Sequence, residues 1–407
     1  MNEQVPVAII GTLDTKGPEV AYIRSLFARV GQPSLVIDSG ILGTPGATAD
    51  ITREEVAIAA GTNLASVQKS SSRGHAVEIM ARGLAAIVTD LYSQGRVRGV
   101  FGIGGAEGGL MAAHAAQQLP LGAPKLIVSP SASGKREFGP FVGTSDMMIM
   151  HSVIDILGLN YVSKTVFESA VAAMVGMLRF ARPIATDSVA RAGITMLGQT
   201  TPGVMALTSI LEAHGCEPII YHANGVGGPA MDELIEQGVF TGVIEYTVSE
   251  FANSVRGGTH ETDENRGRAA ILNGLPLVLV PGAGDFFNQG AVEHLDPQLK
   301  KRQHYRHNPV ATLVRLNEEE STALGKMICG RIADHVAPVT IMIPRGGLSL
   351  IGVEGEAIHN PASDDALFRA LIESAPEDVP IIDFPYHVNQ PEFAEAVATE
   401  FLRLCSI

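Results

Sequence analysis

The chain has 407 residues, 46% hydrophobic and 5% aromatic, with no Trp and a formal net charge of −14. That length exceeds one ordinary core and suits two domains or three small ones, and the composition is that of an α/β protein rather than a disordered chain. The acidic balance argues against a nucleic-acid or acidic-membrane surface.

Cys216, Cys329 and Cys405 show no CxxC spacing, which argues against a disulfide framework or structural zinc and fits a reducing compartment. The start MNEQVPVAIIG has no basic leader pattern. No apolar run approaches the roughly 20 residues that span a bilayer. The expected location is therefore cytoplasmic, with no membrane or direct nucleic-acid partner.

Val5 to Ile10 reads as a strand closed by Gly11, followed by the polar loop Thr12 to Pro18 and a helix from Glu19 to Val30. Leu35 to Asp38 is a second strand; its terminal carboxylate suits either a ribose contact or a turn cap. Gly40 to Ala49 is a loop long enough to act as a flap. Thr52 and Glu55 have capping-box spacing at the head of Ile51 to Asn63, and another helix runs from about His75 to Gln94.

Gly99 to Ile103 is an apolar strand that turns into the cluster Gly104-Gly105-Ala106-Glu107-Gly108-Gly109 and then a helix. Glycines after a strand let backbone N–H groups approach a ligand, and the helix start adds partial positive charge, so this is anion-binding chemistry. Glu107 could orient a hydroxyl, an amine or a metal. The alternative is a tight turn that binds nothing, since the cluster is neither GxGxxG nor a P-loop.

Lys125 to Val128 is the next strand, running into a Ser/Gly loop through Ser131, Ser133 and Gly134. Thr144-Ser145-Asp146 and a long helix from Asn160 to Phe180 follow. Recurrence of strand, loop and helix predicts a parallel, helix-covered sheet.

Arg182 to Ala190 is the expected linker, dividing residues 1–185 from 186–407. Ile194 to Gly203 then echoes Val7 to Gly17, Gly242-Val243 with Glu250 echoes Gly99-Val100 with Glu107, and Pro276 to Gly282 echoes Pro124 to Pro130. The common order predicts two similar α/β halves. A second glycine loop, His222 to Gly228, precedes a helix, and Ile381 to Phe384 and Pro391 to Cys405 read as a last strand and an amphipathic last helix.

Ligands of open α/β sheets bind at the carboxyl ends of strands. The polar inventory expected there is Lys16, Glu107, Asp146, Glu250, Asp285, His304, His307 and His387. Glu250 or Glu107 could act as general base, with Lys16 or Arg306 stabilising an anion. Asp285 with His304 and His307 is the best-suited metal set, the two His sharing a face if that segment is helical, yet the spacing fits no zinc motif and no metal site is assigned.

Gly11 to Lys16, Gly143 to Asp146 and His222 to Gly228 together resemble the Tm-1-like ATP-binding family, also called UPF0261, over about Val7 to Phe401. The resemblance implies two Rossmann-like subdomains, each a mainly parallel sheet covered by helices, with ATP, possibly with Mg²⁺, in a cleft between them, and homodimers. Implied nucleotide contacts are Gly104, Gly105, Gly108, Gly109, Ser131, Ser133, Gly134, Thr144, Ser145, Asp146 and Thr247, with Glu107, Gly227 and Gly228 completing the candidate ligand set. The family's plant member has Ser-Gly where this chain has Ala106-Glu107, and a carboxylate beside phosphates repels unless a metal or proton intervenes. A nucleotide or small anionic metabolite is the expected ligand. The alternative is a metabolic enzyme acting on a small acidic metabolite by acid–base or metal-assisted chemistry.

Overall fold

The computed structural model describes residues 5–132, 139–182 and 188–407. The chain divides into two compact units, Met1–Ala185 and Thr186–Ile407.

Unit 1 contains β1 (Val7–Gly11), α1 (Leu13–Arg29), β2 (Ser34–Asp38), α2 (Arg53–Ala59), α3 (Leu64–Gln68), α4 (Arg73–Ser93), β3 (Val100–Ile103), α5 (Ala106–Gln117), β4 (Lys125–Ser129), α6 (Gly139–Val142), β5 (Met148–His151) and α7 (Tyr161–Phe180). The five strands form one parallel sheet in the order β2-β1-β3-β4-β5. Successive strand residues point to opposite faces. Ala8, Ile10, Val100 and Ile127 therefore pack with α4 and α5, while Val7, Ile9, Phe101 and Val128 pack with α1 and α7. Covering on both faces is why these strands read as unbroken apolar runs.

Local chemistry sets the element ends. The capping box at the head of α2 forms, Thr52 N–H donating to Glu55 at 2.7 Å and Glu55 N–H to Thr52 Oγ1 at 3.3 Å. Pro18 lacks an N–H, and α1 kinks at Lys16 (φ −128°, ψ 18°), leaving its first turn distinct from the helix expected from Glu19 onward.

Unit 2 contains β6 (Ala190–Met196), α8 (Thr201–Ala213), β7 (Cys216–His222), α9 (Gly227–Glu236), β8 (Gly242–Thr247), α10 (Ser249–Arg256), α11 (Ala269–Leu272), β9 (Leu277–Gly282), β10 (Phe286–Gln289), α12 (Pro297–Lys300), β11 (His304–Asn308), β12 (Ala311–Arg315), α13 (Glu318–Ile332), β13 (Val339–Pro344), α14 (Pro361–Ser374), β14 (Ile381–Phe384) and α15 (Pro391–Cys405). Its main sheet is parallel, in the order β14-β13-β9-β8-β6-β7. The first four strands of each unit follow the same second-first-third-fourth order. That shared topology accounts for the echoed segments.

One face of the unit 2 sheet is apolar: Ile194, Ile244, Tyr246 and Val280 pack with α8 and α15. The other face buries Thr195, Glu245, Arg266 and Glu250. Unit 2 also carries a three-stranded antiparallel sheet, β10-β12-β11. His304 to Asn308 is thus a strand and not a helix, and His304 and His307, three apart, fall on opposite strand faces.

Candidate functional site

In an open parallel sheet, neighbouring strands whose connections leave in opposite directions create a crevice at their carboxyl ends. In unit 1 this point falls between β1 and β3, and a cavity of about 790 Å³ opens there. One wall is the start of α1 (Thr12, Asp14, Thr15, Lys16) and another the start of α5 (Gly105, Ala106, Glu107, Gly108). Ile41, Leu42, Val67, Val77 and Met111 give it an apolar side, and Gln68, Ser70, Ser72 and Arg73 a polar one.

The start of α5 has no side-chain cap, so its first-turn amides, which lack intrahelical acceptors, open into the cavity. The glycines there differ in what they serve. A Cβ on Gly104 would lie 2.5 Å from the backbone of Gly108 and Gly109, whereas one on Gly105 would meet nothing within 4 Å. Gly104 is needed for the tight strand-to-helix turn, and Gly105 leaves space for something else. Gly109 packs towards Ser129 and Phe141.

The charged groups of the cavity are already partnered. Arg73 donates to Glu107 Oε2 at 2.6 Å. Lys16 donates its Nζ to the carbonyl of Ile156. Asp14 Oδ2 accepts from Leu42 N–H at 3.1 Å, and Oδ1 is buried with no partner. Asp38 Oδ1 accepts from Leu13 N–H at 3.0 Å and Gly40 N–H at 2.8 Å, supplying the α1 cap that Thr12 does not. These two bonds realise the cap reading of Asp38. Burial raises its pKa, with those amides acting the other way. The start of the 40–49 loop is held by Arg53, which donates to the carbonyls of Leu42 and Gly43, and by Gln68 on Ile41, and there Ile41 and Leu42 form part of the cavity wall.

The other predicted ligand residues are dispersed. Asp146 accepts from Gly122 N–H at 2.7 Å and pairs with the fully buried Lys125, at the amino end of β4 and so at the opposite strand end from the glycine turn. Thr144 and Ser145 precede it, outside the cavity lining. Ser131 N–H donates to Ser129 Oγ, and Ser133 and Gly134 lie outside the described residues.

Gly227, Gly228, Thr247 and Glu250 belong to unit 2, where the second glycine loop is filled from within. Glu250 Oε1 accepts from Gly225 N–H at 2.9 Å and Gly228 N–H at 3.1 Å, and Oε2 accepts from Arg266 Nε at 2.7 Å. A Cβ on Gly228 would lie 1.9 Å from both Arg266 Nε and Glu250 Oε2, so this glycine makes room for the ion pair. Arg266 also pairs with Glu245 at 2.6 Å and reaches Asp232 at 3.5 Å. With both oxygens occupied and only 1% exposed, Glu250 is poorly placed as a general base. Thr247 Oγ1 shares a 2.7 Å hydrogen bond with Thr200.

Asp285 is likewise buried, accepting from Ser349 Oγ at 2.6 Å and pairing with Arg315 at 3.3 Å. Burial raises its pKa, with Arg315 opposing. His304 Nδ1 contacts the Arg302 carbonyl and His307 is exposed on β11. Among the described residues no group of three or more His, Cys, Asp or Glu is placed to hold a metal ion, so Asp285, His304 and His307 do not form a set.

Fold and cavity together define a two-unit α/β protein with an open crevice at the strand ends of its first sheet. The chain belongs to the UPF0261 family. The sequence profile of the N-terminal domain of the uncharacterised protein family UPF0261 matches residues 5–183, and that of the C-terminal domain matches residues 190–405. A UPF0261 protein of Clostridium tetani is 36% identical, covering 99% of both chains. One from Rhizobium meliloti is 36% identical over 97% of this chain and 98% of its own. The ToMV resistance protein Tm-1(GCR237) of Solanum lycopersicum is 34% identical over 82% of this chain, which spans 45% of that protein.

Proposed function

We propose that unit 1 binds a phosphate-bearing small molecule, with ATP or another nucleotide the leading candidate, in the cavity between the starts of α1 and α5. The observation that carries the reading is the uncapped α5 amides opening into a cavity beside Gly105, a position with room for a side chain that has none. Lys16 and Arg73 line the same cavity, and its apolar side suits the flat face of a base. A cytoplasmic homodimer, with Mg²⁺ accompanying the nucleotide, belongs to the same reading.

Acid–base chemistry by Glu250 or Asp285 has less support, because each carboxylate is committed to a buried arginine. The tomato resistance protein and its susceptible counterpart match at 34% and 33% identity, so the likeness does not favour an antiviral role.

The test is a thermal-shift series with ATP, ADP, AMP, inorganic phosphate and small carboxylic acids, each with and without Mg²⁺. A ligand at a hundredfold excess over Kd should stabilise the protein by about 2.7 kcal/mol. Silence of every phosphate-bearing probe would remove the proposal.

A further inference from the structure

α7 is the last helix of unit 1, and it seats Phe167, Ala170, Val171, Met174 and Leu178 in the core it shares with α1. Its three charged residues keep to one side. Lys164 Nζ lies 5.8 Å from the ring centroid of Tyr22 on α1, Glu168 accepts from the Tyr22 hydroxyl at 2.8 Å, and Arg179 stands about three turns beyond Glu168. Directly opposite the core runs an uncharged row, Tyr161, Thr165, Ser169, Ala172, Gly176 and Phe180. Tyr161 is 86% exposed and Phe180 83%. Val153 and Leu157, just ahead of the helix, are exposed as well. A surface helix ordinarily turns charge to water, and a contiguous apolar face left open marks a contact site.

The row itself points to what covers it. The Thr165 hydroxyl donates to the Tyr161 carbonyl at 2.9 Å and the Ser169 hydroxyl to the Thr165 carbonyl at 3.0 Å, so the face can lose its water without stranding a donor. A Cβ on Gly176 would meet nothing within 4 Å. A glycine that weakens its helix and serves no neighbour in its own chain leaves room for an element from outside. The spacing is palindromic: from Tyr161 to Phe180 the intervals are 4, 4, 3, 4 and 4 residues, with an aromatic ring at each end and small side chains between. A two-fold axis between Ser169 and Ala172 therefore sets Tyr161 of one copy beside Phe180 of the other, and small residues beside small ones. The net charge of −14 disfavours an acidic lipid surface or a nucleic acid as the cover, whereas two uncharged rows meet without like-charge contact.

We propose that α7 packs antiparallel on α7 of a second copy, making a dimer contact through the row from Tyr161 to Phe180. This contact supplies the surface of the homodimer proposed above and rests on that reading. Sedimentation velocity of the full chain at about 1 to 100 µM tests it on the wild type, Ala172→Glu, Phe180→Ser and Ile58→Glu. The wild type should sediment as a dimer of the 42.8 kDa chain. Ala172→Glu sets two carboxylates together near the axis and should raise the dimer dissociation constant at least about a hundredfold. Phe180→Ser removes an aromatic anchor and should raise it about tenfold or more. Both positions are exposed, and far-UV circular dichroism should show both variants folded. Ile58→Glu, which alters an exposed apolar residue on α2, should leave the constant unchanged. A wild-type constant in either folded α7 variant would overturn the contact while leaving the homodimer. A monomeric wild type across the whole range would remove both. Binding of the wild type to phosphatidylcholine vesicles, lost in Phe180→Ser, would make lipid the occupant and likewise overturn the contact.

Discussion

Arg266→Met is the most informative single perturbation of unit 2. The guanidinium is 2% exposed and faces three carboxylates, Glu245 at 2.6 Å, Glu250 at 2.7 Å and Asp232 at 3.5 Å. Methionine fills much of the stem volume and keeps an apolar contact with Phe251, over whose ring the guanidinium lies at 5.2 Å. It leaves the carboxylates buried without their counter-ion. Removing one partner from a buried ion pair costs roughly 3–5 kcal/mol, and with three carboxylates on one cation the upper part of that range is expected. For a unit of this size each kcal/mol lowers Tm by about 2–4 °C, so a drop of roughly 8–20 °C should appear in thermal melts followed by far-UV circular dichroism at pH 7. At pH 5 the deficit should shrink, because the abandoned carboxylates can take up protons. The double variant Glu250→Gln/Arg266→Met should lose less than Arg266→Met alone. A wild-type Tm for Arg266→Met at pH 7 would refute the view that this cluster holds the polar face of the sheet together.

Gly104→Ala places a methyl 2.5 Å from backbone atoms of α5 and should cost about 1–3 kcal/mol in urea unfolding, the usual penalty for overpacking. The Cβ that Gly105→Ala adds meets no protein atom within 4 Å, so stability should stay within about 0.5 kcal/mol while binding of phosphate-bearing probes is weakened. Burial pushes the Asp232 carboxyl up to about 6 from its ordinary 3.8, with Arg266 acting the other way. A raised acid is protonated in the folded chain where the unfolded chain is ionised, so stability falls as pH rises from about 4 to 6, by at most about 3 kcal/mol. Asp232→Asn, which can still accept from Gly267 N–H, should flatten that part of a Tm-against-pH profile; an unaltered slope would show that other groups produce it.

Periodicity and breakers mark the frame well. β14 and α15 begin and end at the expected residues, and the Thr52–Glu55 spacing forms the capping box it announces. Fully covered strands cannot hide their apolar runs. Harder to read were contacts between elements distant in sequence. Glu250 looks like a helix-start carboxylate open to a ligand, and only the fold brings Arg266 and the Gly225 and Gly228 amides onto it. One signal was available: Glu245 sits among the apolar residues of Gly242–Thr247, and a carboxylate buried in a strand requires a cation. The basic run at 300–308 marks charge and masks the β11–β12 hairpin. The turn-forming Asn308-Pro309, followed by Ala311 to Arg315, was the better guide. The glycine cluster pointed to the cavity, but Arg73, more than 30 residues upstream of its partner Glu107, was legible only as part of a polar loop. Asp146 shows the converse failure, a strand-edge carboxylate whose partner Lys125 lies at the wrong end of the sheet for a cradle.

Hydrogen-exchange mass spectrometry of the full chain, with and without saturating ATP and AMP in Mg²⁺, tests the central claim most directly. The account predicts slowed exchange in three unit 1 segments, 12–16, 67–77 and 104–111, with the second glycine loop at 222–228 unchanged. Protection at 222–228 and 247–250 instead, or none anywhere with ligand demonstrably bound, would contradict it.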